Sequence, residues 1–139
     1  MASPSVKNET TLKNVASHLT LHRYFLNASR NRSLFLEKLQ AGEEKHLHAQ
    51  VHLDLWYACL FVVVEEWRKE RIRDQAVTDL LRNTQKRALL EGYRHAVFHY
   101  GPSYIDPRQE KLYQDPDFVE WVWGLHDAIS NFFLRRDEV

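Results

Sequence analysis

The stretch Tyr93-Arg94-His95-Ala96-Val97-Phe98-His99-Tyr100-Gly101 holds the residue types that most directly suggest chemistry. Arg94 is a permanent cation whose planar fork of donors suits a phosphate or carboxylate. His99 offers an imidazole, which ordinarily titrates near neutrality and so can accept or give a proton. Five residues on a regular helix turn through about 500°, which leaves these two side chains about 140° apart. They converge only if the helix loosens at its last turn, or if a second copy of the chain brings the same groups to a shared cleft across a two-fold axis. Gly101-Pro102 favours the loosening. His95 diverges from His99 by only about 40° on a regular helix and belongs to the same candidate group.

Other polar groups bear on the same region. Asp54 interrupts an apolar run that Glu65 and Glu66 close, and a carboxylate so placed must find a partner or face a polar pocket. Between positions 68 and 87 lie Arg68, Lys69, Arg71, Arg73, Arg82, Lys86 and Arg87 against Glu70, Asp74 and Asp79. Such a run is ordinarily a solvated helix face, and it gains meaning only if a polyanion comes near. His18/His22, His48/His52 and His95/His99 are spaced as paired ligands on one helix face would be. Di-metal bundles, however, pair two Glu-x-x-His motifs, and the only one here is Glu43-Glu44-Lys45-His46, so no metal site is expected. Cys59, the one cysteine, excludes a disulfide framework and reads as core filler. Trp56, Trp67, Trp121 and Trp123 read as core or interface.

The elements that must position these groups are helical. Apolar residues at Leu12, Val15, Leu19 and Leu26 recur with helical spacing. Asn27 to Ser33 reads as a polar interruption before Leu34 to Leu39, and Gly42 as the C-cap. A second helix over about 43–69, apolar nearly all round in its middle, should be the most buried. A third is expected over 73–82 and a fourth over 84–99, separate or joined as one bent helix. Positions 103–114 read as a loop. Asp115-Pro116-Asp117 starts a last helix with an apolar stripe of Phe118, Val122, Leu125, Ile129 and Phe132. No segment alternates with period two. The expected fold class is all-α, a bundle of four or five helices in a single domain over 8–136, with 1–7 as a loose leader.

With 139 residues, 44% hydrophobic and 27% charged, the chain can bury a core without covalent staples. Its zero formal net charge means that attraction for nucleic acid must be local. Residues 1–10 lack the apolar run of a signal peptide. The run from Leu55 to Val64 is about half of what crosses a bilayer. A cytoplasmic protein without membrane association is expected.

Arg94, His95 and His99 match in order and spacing the signature of the HEPN superfamily: an arginine, a polar residue that is often Asn, Asp or His, three further residues, then a histidine. The chain also resembles that family in its helix pattern over about 8–136, with the motif ending a penultimate long helix. The resemblance implies a metal-independent, cofactor-free endoribonuclease of toxin–antitoxin or antiviral-defence type, acting on RNA as a homodimer. In that reading Arg94 holds the phosphate where charge grows, His99 moves the proton of the ribose 2′-hydroxyl, and His95 assists. An acidic residue on an earlier helix orients the site in many members; Asp54, Glu65 and Glu66 are the candidates, with Glu65 favoured. Members paired with a nucleotidyltransferase antitoxin carry a tyrosine two places after the histidine. Here that place is Gly101, while Tyr100 and Tyr104 lie beside it, so such a partner, or another cognate antitoxin, is implied less directly. The alternative is a catalytically inactive HEPN module that binds a nucleotide or a partner protein.

Overall fold

A computed structural model describes residues 4–42 and 46–137, and among these every regular element is a helix. There are six rather than four or five: α1 Pro4–Gln40, α2 His46–Lys69, α3 Gln75–Leu81, α4 Thr84–Phe98, α5 Pro107–Tyr113 and α6 Phe118–Asp137. The additional helix is α5, in the stretch expected to be a loop. Its cause is local: Asp106 accepts from the Arg108 backbone N–H while the Gln109 side chain accepts from the backbone N–H of Asp106, and Pro107 occupies the first turn. Asn83 caps α4 separately, so α3 and α4 are two helices.

Helix α2 is the centre. Its buried residues include Leu53, Trp56, Tyr57, Leu60, Phe61, Val64 and Trp67, and α1, α4 and α6 cover it. By length and composition α2 could cross a membrane, but half of its most apolar window is buried inside the fold. Here those side chains form the protein's own core. The expected stripe of α6 is buried throughout, from Phe118 to Phe132.

Helix α1 departs from expectation three times. It passes unbroken through 27–33, because Ser29, Asn31 and Arg32 are engaged by His126, His52 and Asp127; tertiary contacts override a weak local preference. Its buried face is Leu21, Phe25 and Ala28, whereas Val15, Leu19 and Leu26 are exposed. The apolar repeat read from the sequence is therefore the outward one. Helix α1 also begins at Pro4, within the segment read as a leader, and Pro is well suited to a first turn. The Leu12 side chain and the Glu43-Glu44-Lys45 part of the lone Glu-x-x-His motif lie outside the described residues.

Two polar features of the core are distinctive. His126, fully buried on α6, accepts from the Trp56 indole N–H through Nδ1 at 2.9 Å and meets the Ser29 hydroxyl through Nε2 at 3.1 Å. Burial, with Arg32 nearby, pushes its pKa down to about 3. At the end of α2, the N–H of Ile72 bonds the Trp67 carbonyl and that of Arg71 the Arg68 carbonyl, a Schellman closure. Its left-handed position, ordinarily glycine, is held by Arg71 at φ 53°.

Each feature gives a prediction. Arg71→Gly relieves the left-handed strain and should raise the unfolding free energy by about 1 kcal/mol, read from a urea midpoint. For His126, the folded pKa lies below the ordinary 6.5, so unfolding takes up a proton as pH falls from 6.5 toward 3. Stability is then unaffected by this group above pH 6.5 and declines below it, by up to about 1.4 kcal/mol per pH unit. Denaturation series between neutrality and about pH 5, above most carboxylate titration, should show this slope in the native protein and lose it in His126→Gln.

Candidate active site

Helix α4 runs antiparallel to α2: Arg87 lies near Arg68, and further along α4 Arg94 reaches back to Phe61 and Glu65. This register sets the candidate site at the end of α4. Arg94 Nη1 donates to Glu65 Oε2 at 3.1 Å, and the guanidinium lies 5.4 Å from the centre of the Phe61 ring. Of the three acidic candidates, Glu65 is thus the one brought to Arg94. Lys69 lies 3.9 Å from the other Glu65 oxygen, while Glu66 pairs with Lys69. A half-exposed pair of this kind adds little to stability. What it supplies is orientation: one edge of the fork is fixed and the other donors remain open to a ligand.

The helix ends at Phe98, and His99 has the extended backbone φ −119°, ψ 113°. The helix thus stops just ahead of Gly101-Pro102, but this ending does not bring His99 to Arg94 within one chain. His99 and His95 are exposed with their rings stacked, centroids 6.2 Å apart and 21° between planes, so the expected shared face is present. His95 Nε2 lies 3.8 Å from Glu91 Oε1 one turn back. No hydrogen bond, ion pair or ring contact among the described residues joins Arg94 to His99. Tyr100, Tyr104 and Phe98 stand in solvent around them, and no such contact links Tyr100 to the motif residues. The end of α4 therefore carries a cation held by Glu65 and two exposed imidazoles.

Tyr93, the residue before Arg94, belongs to a polar cluster that the sequence did not reveal. The Tyr93 hydroxyl donates to Asp54 Oδ1 at 2.5 Å and is 2.6 Å from the Tyr113 hydroxyl. Gln50 Nε2 contacts the same carboxylate oxygen and both phenols, and Gln109 Nε2 lies at 3.4 Å from Asp54. Burial raises the Asp54 pKa against these hydrogen bonds, and burial and the carboxylate together push Tyr93 well above the ordinary phenol range. Three donors on one oxygen, from Tyr93, Gln50 and Gln109, answer the need of a carboxylate on a core helix. They also bind α2, α4 and α5 together. Tyr93, read as packing, is both buried and the hub of this cluster; Tyr113 carried no signal because its role depends on α5.

Among the described residues no group of three or more His, Cys, Asp or Glu side chains is gathered as a metal site. Cys59 packs against the core, and burial pushes its thiol pKa up. A second concavity, about 540 Å³, lies between α4 and α5, with Leu89, Gly92 and Pro116 as its apolar wall and Arg108 and Lys111 at its edge. Models of known protein families, curated proteins and solved structures yield no match to the chain.

The cluster is testable through stability. Tyr93→Phe removes a buried donor and leaves Asp54 under-satisfied, which should cost about 1–3 kcal/mol in urea unfolding. Tyr113→Phe, whose hydroxyl sits nearer solvent, should cost clearly less.

Proposed function

We propose that the chain is a metal-independent endoribonuclease of the HEPN type, acting as a homodimer whose composite site is formed by Arg94 and His99 of two copies. The single observation that carries this reading is the end of α4. An arginine oriented by an acidic side chain of the core helix lies one turn before an exposed histidine that ends the helix and has no side-chain hydrogen bond among the described residues. RNA brings its own nucleophile, so no serine or cysteine is needed. His99 of one copy removes the 2′-hydroxyl proton, and the 2′-oxygen forms its bond to phosphorus as the P–O5′ bond breaks. The leaving 5′-oxygen takes a proton from the second copy's His99, giving a 2′,3′-cyclic phosphate and a 5′-hydroxyl. Arg94 holds the phosphate oxygens where negative charge grows. His95, stacked on His99, helps to set its ring, and Glu65 positions Arg94. The exposed Phe98, Tyr100 and Tyr104 suit either the two-fold contact or the bases of the strand. The setting that the resemblance implies is a cytoplasmic toxin–antitoxin or antiviral-defence system, with a cognate antitoxin or nucleotidyltransferase as regulator.

A second reading, an inactive module that binds a nucleotide, draws support from the concavity between α4 and α5. Its size is in the range of small-ligand pockets, and its apolar wall and two cations would suit a base and a phosphate.

Purified protein incubated with RNA in excess EDTA decides between them. Cleavage to cyclic-phosphate ends is expected, with Arg94→Ala and His99→Ala each lowering the rate by about 10²–10⁴-fold. Light scattering is expected to give twice the chain mass. Undiminished cleavage in both variants, or a strictly monomeric active species, would overturn the composite site. An inert wild type that retains a nucleotide would favour the second reading.

A further inference from the structure

The corner where α2 ends and α4 begins holds a recess of about 440 Å³ lined by Arg68, Arg71, Arg82 and Arg87, with Trp67 in its wall. Three of the seven cations of the basic stretch have acidic partners: Lys69 pairs with Glu65 and Glu66, Arg82 with Asp79, and Lys86 with Asp115. Arg68, Arg71, Arg73 and Arg87 have no ion pair among the described residues, and three of these four, Arg68, Arg71 and Arg87, share this recess. Burial and the Arg68 charge lower the pKa of Arg87, with only Glu91 opposing.

Two further observations point to an absent acceptor. Of the buried side-chain polar atoms among the described residues, only Trp67 Nε1 and Arg87 Nε lack a hydrogen-bond partner, and both residues line the recess. Trp67 itself is only 2% exposed. Buried donors are rarely left unanswered, and here the unanswered groups are donors alone. The third arginine, Arg71, holds the left-handed backbone position that glycine would occupy at less cost. A guanidinium kept at a strained place, beside two like charges and two orphan donors, fits an acceptor-rich anion.

The position of the recess suggests which anion. Arg87, Glu91 and Arg94 follow one another along one face of α4, and seven residues separate the two arginines by about 10 Å. Glu91 lies between them, so the positive surface is two separate seats rather than a continuous band. A polymer with phosphates at intervals matches that arrangement.

We propose that the recess is a second phosphate seat for RNA, holding a backbone phosphate of the strand whose scissile phosphate lies at Arg94; this rests on the ribonuclease reading of the α4 end. The test is fluorescence anisotropy of the full chain with a single-stranded RNA made uncleavable by 2′-O-methyl groups, titrated across salt concentrations. Arg87→Gln and Arg71→Gly should each weaken binding by about tenfold at low salt, to the same degree for different sequences, and flatten the log affinity against log salt slope by about 0.7. Arg71→Gly should do so with a melting temperature at or above that of the native protein, which separates lost contact from lost fold.

Native affinity and slope in both variants would overturn the seat. If they persist while the native protein cleaves RNA, the seat fails alone and the nuclease reading stands. A flattened slope in a protein that cleaves nothing upholds the seat and removes the nuclease. Inorganic phosphate that raises the native melting temperature but not that of Arg87→Gln, without any RNA binding, would overturn RNA as the occupant and leave a small phosphorylated molecule.

Discussion

A helix that is apolar around most of its circumference leaves its few polar atoms without water, and α2 is such a helix. Each polar group it carries inward must therefore be answered by a neighbour, and those answers fix where the neighbours sit. The Trp56 indole is answered by His126 of α6, which in turn meets Ser29 of α1. Asp54 is answered by Tyr93 of α4 and Gln109 of α5. Glu65, at the more open end, is answered by Arg94. The Trp67 indole is not answered among the described residues, and that exception lies in the wall of the arginine recess. The surroundings of one hydrophobic helix thus define the core, the candidate site and the open basic corner.

Neutrality of His126 is part of the same logic. A charged imidazole there would face burial and the nearby Arg32 cation, and could not accept from Trp56 through Nδ1. Keeping the ring neutral allows one nitrogen to accept and the other to donate, which closes the chain from indole to hydroxyl. Such a network contributes to a unique packing of α1, α2 and α6, because a shifted helix would break two buried hydrogen bonds at once.

Much of the helical pattern was legible because long apolar periodicities and caps act locally. The stripe of α6 and the buried character of α2 follow from spacing alone, and Asp54 was recognisable as a carboxylate needing partners. The end of α4 at Phe98 was legible too, from Gly101-Pro102. Helix α5 was not expected although Asp106-Pro107-Arg108-Gln109 carries the same kind of start signal as Asp115-Pro116-Asp117, because Gly101, Pro102 and Pro107 fit a run of turns equally well. The face of α1 was misread because two apolar repeats coexist on it, and only packing decides which is covered. Glu65 was favoured but not determined, since its distance from Arg94 depends on how α4 lies against α2. Tyr113, Gln50 and the orphaned Trp67 and Arg87 nitrogens were invisible, because their states depend on residues distant in sequence.

The loop over 99–106 is held at both ends: Arg94 is tied to Glu65 just before it, and the Asp106 cap with Gln109 on Asp54 secures it just after. Between these anchors Tyr100, Tyr104 and Ile105 are exposed. Such a span can exchange its outward side chains over evolutionary time while the imidazole that precedes it stays in place. Divergence in what the surface recognises is thereby uncoupled from the helical frame, so variation among descendants of this chain would concentrate in those few outward positions.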